Sequence, residues 1–430
     1  MKLISVCLFR DAVLGIAVFF FLISSSVFAQ SDPPEQHPAT TGTTMRFPME
    51  TPAYTAPHSE GLLGRFFPNL HGNEALHFDY VYTGGVFNNA RGGERTKGST
   101  TYNGLFEIGI TADTEKFGLW KNGTFYMHSL FSQGRNPSRY VSDYQGVSVL
   151  AYETPAQVSE YWYEHRFFKD RLKIKGGKQD AGVDFFYLES TADFINSSAT
   201  FVPTTGAPTA PDNAWGVAAY FDLTDSFCLK VGIYDAQANA NKFWMSESGD
   251  VYSAYQIDYH YTLFKHLPGF AYLGAWYDSS ETESLAESLK EGRTHWGNYG
   301  FSLGFEQMVY RRHTCDDGDR RGLTMYVQYS KTKKDRNELK GFWALGFNWL
   351  GLLENRPDDI FGFAVNSARF SRGFRDTENL CYGSEYAYEI FYKIQMTDNI
   401  AVQPVFQYVV HPGGEYRNAF VPGLVFQVVF

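Results

Sequence analysis

Long apolar runs are missing from this 430-residue chain once its first thirty residues are passed: no stretch of 18 apolar residues follows Gln30, so membrane-spanning helices are excluded. Positive charge is in deficit, with 37 Lys and Arg against 47 Asp and Glu, which argues against nucleic acid as a partner. Cysteine is scarce. Of Cys7, Cys228, Cys315 and Cys381, the first falls in the leader, and the remaining three cannot all pair within one chain. His71 and His77 lie six apart with no acidic or cysteine partner at metal-ligand spacing, so neither a metal nor another cofactor is expected. A nucleophile with a base in reach is also missing. His128 beside Ser129 fails because neighbouring strand residues point to opposite faces, so the chain is not expected to be an enzyme. Finally, no composition break interrupts residues 75–430, which favours one large closed domain over several linked ones.

What is present begins with MKLISVCLFRDAVLGIAVFFFLISSSVFAQ. Lys2 and Arg10 precede an apolar run from Ala12 to Ile23, with cleavage expected after Ala29. Residues 1–29 are read as a signal peptide and 30–74 as a periplasmic N-terminal arm, partly disordered because six prolines fall between positions 30 and 60. Residues 75–430 form the remaining domain.

From Ala75 onward, segments of strand length alternate apolar and polar residues with period two. In SEYAYEIFYKIQM, Tyr386, Tyr388, Ile390, Tyr392, Ile394 and Met396 share one face, while Glu385, Glu389, Lys393 and Gln395 share the other. Segments of this kind recur near 76–84, 103–112, 118–131, 159–168, 171–179, 214–223, 226–234 and 253–263. They continue near 270–278, 299–310, 323–330, 342–351, 360–370, 385–396, 400–410 and 420–430, which makes sixteen. Their connections sort in order into tight turns (113–116, around Lys169, 223–226, 265–269, the RRHTCDDGDRRG turn, 354–359, 397–399) and long loops (85–101, 132–158, 180–213, 235–252, 279–298, 331–341, 371–384, 411–419). A soluble sandwich has no reason to sort its loops this way. The pattern predicts a sixteen-stranded antiparallel transmembrane β-barrel of the bacterial outer membrane, with short periplasmic turns, long external loops and apolar faces toward lipid. Cys315 and Cys381 then lie at opposite rims, too far apart to bridge.

Several strings resemble the carbohydrate-selective porin family: YTGGVFNNARGG (82–93), GKQDAGVDFF (177–186), FINSS (194–198), NAWGVAAYFD (213–222), GLLENRPDDIFGFAV (351–365) and EYAYEIFYKIQMTDNIAVQPVFQYVVHPGG (385–414). The resemblance implies a monomeric sixteen-stranded pore for glucose and related sugars, with oligosaccharides as further partners, narrowed by inward-folded loop and wall residues. The final aromatic, Phe430, resembles the signal read by the barrel-assembly machinery. A general porin for ions and small solutes is the alternative.

A sugar pore needs hydrogen-bonding groups to replace water and flat apolar surfaces for the ring face, and charged rings suit ions as well. The candidate pore-lining and substrate-binding residues are Glu107, Glu160, Trp162, Glu164, Arg166 and Lys178 on early strands, and Glu385, Glu389 and Lys393 on a late one. Asp180, Asp184 and Phe194 join them from the longest loop, 180–213. That loop is expected to fold into the barrel, with Asp180 and Asp184 opposite basic wall residues, or else to cap the mouth from outside. Arg91, Arg95, Arg135 and Arg139 fall in external loops, where they suit either an entry for polar solutes or contact with lipid headgroups.

Overall fold

The computed structural model describes residues 72–430 apart from 241, 265, 284, 286–293 and 313–318. The expected leader, most of the arm, Cys7, His71 and Cys315 lie outside the described residues. Of the other cysteines, Cys228 is buried and Cys381 exposed, both as free thiols.

Sixteen strands build the wall. The first eight are Leu76–Asn88 (β1), Thr100–Asp113 (β2), Gly123–Gly134 (β3), Ala156–Phe167 (β4), Leu172–Gln179 (β5), Ala214–Asp222 (β6), Phe227–Asp235 (β7) and Val251–Leu263 (β8). The second eight are Leu267–Glu283 (β9), Thr294–Arg311 (β10), Gly322–Thr332 (β11), Leu339–Leu350 (β12), Ile360–Phe370 (β13), Ser384–Thr397 (β14), Ile400–Val410 (β15) and Arg417–Val429 (β16). A three-residue strand, Arg91–Gly93, adds to the edge of β16. Each wall strand pairs antiparallel with the next. Val81 of β1 faces Val429 of β16, so the sheet closes and keeps no open edge.

The alternation read in the sequence is physically sorted by this closure. On β8, Tyr255, Ile257 and Tyr259 are exposed on the outer face, while Ala254, Gln256 and Asp258 between them are buried inside. Tyr388 and Ile390 of β14 likewise face out, and Glu385, Glu389 and Phe391 face in. A water-soluble sheet would show the reverse polarity. Apolar side chains turned outward all around a closed sheet are what a lipid solvent selects.

Tight turns close one rim at 168–171, 223–226 and 398–399, and the long connections gather at the other. Several expected boundaries change. The strand expected over 118–131 starts at Gly123, and the turn expected at 113–116 runs over 114–122. Phe117, Leu119 and Trp120 mimic strand alternation, but Trp120 folds onto the outer wall, where its Nε1 donates to Tyr163 Oη at 2.6 Å. The loop expected at 331–341 shrinks to 333–338 because β11 and β12 both run further.

The apolar core lies inside the barrel. Phe185, Phe186, Leu188, Phe194 and Ile195, all from the 180–213 loop, pack against Tyr234, Tyr252, Tyr326 and Phe391 of the wall. Inward glycines make room for these rings. A Cβ on Gly274 would sit 2.5 Å from the Phe186 ring, and one on Gly362 would sit 2.2 Å from that of Phe391.

Candidate functional site

The 180–213 loop enters the lumen, and its course can be followed bond by bond. At its root, Asp180 caps a single helical turn by accepting from Val183 N (3.1 Å). The same carboxylate accepts from Thr209 Oγ1 and Ala210 N (both 3.0 Å), so it ties the outgoing and returning chain together. Burial and the Glu160 charge beside it push the Asp180 carboxyl up to about 7.

Beyond the root, Asp184 pairs with Lys175 of β5, both side chains fully enclosed, and the Asp184 carbonyl accepts from Lys230 of β7 at 3.1 Å. Gln256 of β8 accepts from Phe186 N (2.7 Å), and Tyr272 of β9 donates to Phe186 O (3.1 Å). Glu306 of β10 accepts from Ser190 N (2.9 Å), and Asn348 of β12 donates to Ser190 O (2.9 Å). On the far wall, Lys393 of β14 pairs with Asp193 (2.9 Å), and Gln403 of β15 donates to Asp193 O (2.8 Å). Glu389 then accepts from both Ile195 N and Asn196 N (2.8 and 2.7 Å). The returning limb bonds Ser330 of β11 through Thr204, and Tyr252 of β8 donates to Thr205 O (2.9 Å).

A second loop, 135–155, also turns inward. Glu385 accepts from Tyr144 N and Gln145 N (2.8 and 3.0 Å), Asn103 of β2 donates to Ser148 Oγ (2.9 Å), and Val149 N donates to Ile195 O (2.8 Å). It closes the gap between the first loop and the external ends of β2 and β14–β15.

Apart from bonds at its two ends to Glu160 and Ser159 of β4, the wall strands that hold the 180–213 arc run from β5 to β15, and Arg320 in the β10–β11 turn adds an ion pair to Glu189 at 3.7 Å. The wall from β1 to β4 buries its inward Phe87, Leu105 and Leu130 in the apolar core, and beyond them keeps Asp79, Glu107, Tyr126, His128, Glu160, Trp162, Glu164 and Arg166, of which only Glu164 is buried. His128 stands between Glu107 (3.5 Å) and Glu160 (3.9 Å). The Trp162 indole donates to Glu160 Oε2 (3.2 Å), its ring lies 5.0 Å from that of Tyr126, and the Lys175 ammonium sits over it at 5.1 Å. Arg166 pairs with Glu164 at 3.1 Å.

The sequence candidates thus separate into three groups. Glu107, Glu160, Trp162, Glu164 and Arg166 gather on the β1–β4 face. Asp180, Asp184, Phe194, Glu385, Glu389 and Lys393 hold the two loops; Phe194 is enclosed by Phe391 and Tyr326 at ring distances of 5.0 and 5.9 Å. Lys178 belongs to neither. Three residues from Lys175, it falls on the opposite face of β5, in register with outward Tyr161 and Trp215. Its ammonium donates to Ala240 O and Lys242 O (3.3 and 3.0 Å), under an external loop laid against the outside of the barrel with Phe243 stacked on Tyr161. The expected basic partner also holds for Asp184 alone, since the charged group beside Asp180 is Glu160. Sequence reading passed over Tyr126 and weighed His128 only as a base for Ser129, although Thr124, Tyr126, His128 and Leu130 share one inward face by simple alternation. Of the external arginines, Arg95 lies over the Tyr140 ring (4.7 Å) and Arg139 meets Glu153 (4.0 Å).

A closed sixteen-stranded barrel, lipid-facing outside and narrowed inside by a pinned loop, defines an outer-membrane porin, a channel. The family described as carbohydrate-selective porin, OprB family, matches residues 97–430, and the chain belongs to it. It is 24% identical to Porin B of Pseudomonas aeruginosa over 401 residues, covering 82% of this chain and 87% of that one. Among solved structures it is similar to Pseudomonas putida OprB at high pH, with a TM-score of 0.75, 22% identity, and coverage of 83% of this chain and 94% of that one. The low-pH structure of the same protein gives 0.55 at 19% identity, covering 85% and 96%.

Proposed function

We propose that this carbohydrate-selective porin passes neutral monosaccharides such as glucose along the β1–β4 face of its lumen. The observation that carries this reading is the course of the 180–213 loop, which fills the opposite side and leaves one wall sector with both an aromatic surface and fixed polar groups. Trp162 and Tyr126 offer ring faces to the apolar side of a pyranose. Glu107, Glu160 and Arg166 supply the acceptors and donors that replace water around sugar hydroxyls as the solute sheds its hydration. Glu164 orients Arg166. The loop anchors Asp180, Asp184, Phe194, Glu385, Glu389 and Lys393 act indirectly, by fixing the opposite boundary.

The same reading takes residues 1–29 as a leader, 30–74 as a periplasmic arm and 75–430 as the functional barrel. It takes the working unit to be a monomer, with no enzymatic step. Single-channel conductance of the refolded protein in a planar bilayer, with glucose titrated at fixed salt, tests it. A saturable block is expected. A steady current indifferent to glucose would reduce the chain to a general diffusion pore for ions and small solutes.

A further inference from the structure

Most lysines and arginines turned into the lumen are matched by carboxylates. Arg166 faces Glu164 at 3.1 Å, Lys175 faces Asp184, Lys230 faces Asp258 at 2.7 Å and Lys393 faces Asp193 at 2.9 Å. Lys173 lies beside Glu164 and Asp222, and Arg311 stands at the periplasmic end of β10, opposite Gly322. Three carboxylates on the β1–β4 face differ. Asp79, Glu107 and Glu160 have no lysine or arginine within ion-pair distance among the described residues; their charged neighbours are His77 (3.0 Å from Asp79) and His128 (3.5 and 3.9 Å from Glu107 and Glu160). Even with both imidazoles protonated, the three carboxylates leave the face negative.

From this imbalance we propose that the passage favours cationic over anionic solutes, so that neutral and amino sugars pass while sugars bearing a carboxylate or phosphate are turned back. The inference rests on the β1–β4 route of the preceding section and adds the charge class of its substrates. It concerns passage through an open conduit and requires no bound ion. Low-dielectric walls focus the field of fixed charges into a narrow lumen, where potentials reach several kT. A potential of one kT favours a monovalent cation over an anion about sevenfold. The external arginines lie in loops at the mouth, and beyond roughly 8 Å salt screens them at physiological strength.

The test is the zero-current potential of the full-length protein in a planar bilayer under a KCl gradient, followed by liposome swelling in glucosamine, glucose and gluconate. The expected results are a potassium-over-chloride permeability ratio of several-fold and swelling in the order glucosamine, glucose, gluconate. Glu107→Gln with Glu160→Gln should bring the permeability ratio several-fold closer to unity. Asp79→Asn, on a different strand, should move it the same way by a smaller step. An unselective or anion-selective wild-type channel overturns the inference, as does a ratio that neither variant moves. Glucose block recorded in the same bilayers keeps the two ideas apart: block without cation preference removes the charge inference alone, and cation preference without block removes the sugar reading alone.

Discussion

The Glu389 carboxylate grips two consecutive backbone amides of the lumen loop, Oε1 taking Ile195 N at 2.8 Å and Oε2 taking Asn196 N at 2.7 Å. Both groups are buried, so removing the carboxylate strands two donors away from water, at a cost of about 1–3 kcal/mol each. Glu389→Ala should free the loop segment around Asn196, giving a larger and noisier single-channel current with weaker glucose block. Glu389→Gln keeps one acceptor and should fall between. Equal conductance in all three proteins would show that this anchor does not set the width of the channel.

Lys175 and Asp184 are a buried pair, with 1% and 4% of their side chains exposed. Truncating one partner leaves a buried charge without compensation, which typically costs about 3–5 kcal/mol, whereas replacing both by apolar groups costs far less. Lys175→Met and Asp184→Leu should each lower the midpoint at which the heat-modifiable folded band disappears on gels. The double variant should recover most of that loss. Additive losses would mean that the two side chains act separately.

How far this arrangement is legible in the sequence depends on range. Period-two alternation put Glu385, Glu389 and Lys393 on the face away from Tyr388 and Ile390, and the register agrees, because strand geometry is local. What those side chains touch is not local. Glu389 meets residues 194 positions earlier, and Glu385 meets Gln145 across 240, contacts that no periodicity encodes. The β1–β4 face was half visible: Trp162, Glu164 and Arg166 stand two apart on β4, but their alignment with Tyr126 and His128 depends on strand register. Lys178 was a parity error, since an odd offset from Lys175 already placed it outside. Residues 117–120 misled in the opposite way, because aromatics that cover a rim alternate much as strand residues do.

Trp162 offers the largest flat surface on the β1–β4 face, held by Glu160, Tyr126 and Lys175. An aromatic contact contributes about 0.5–1.5 kcal/mol beyond simple burial. Trp162→Ala should therefore weaken glucose block roughly twofold to tenfold while ion current is retained. Trp162→Phe should restore much of the block, and a block unaffected by either change would place the sugar path elsewhere.

Asp180 makes the root of the lumen loop sensitive to pH. Its carboxyl is raised to about 7 by burial and by the charge on Glu160, against about 3.9 in an unfolded chain. The folded form therefore holds a proton that the unfolded form has lost. Its contribution to stability is complete below about pH 4, declines as pH rises, and is gone above about pH 7. The thermal midpoint of the wild type should fall between pH 5 and pH 8 by more than that of Asp180→Asn, which carries no titrating group here. Parallel profiles for the two proteins would remove Asp180 from the pH response.

Phe430 closes the chain on the outer face of the seam, its amide donating to Tyr80 O at 3.0 Å and its ring edge-on to Phe106 at 6.3 Å. Seven residue pairs still join β16 to β1 without it, from Val81–Val429 to Phe87–Gly423. Deleting Phe430 should thus leave refolding into detergent nearly intact, with a closely similar thermal midpoint. In cells the same deletion should sharply reduce the folded, heat-modifiable protein in the outer membrane, because we propose that the assembly machinery reads this aromatic on the amphipathic strand β16. The comparison separates recognition from stability. Equal loss in both settings would make Phe430 a structural residue of the seam, and no loss in cells would show that assembly reads some other part of β16.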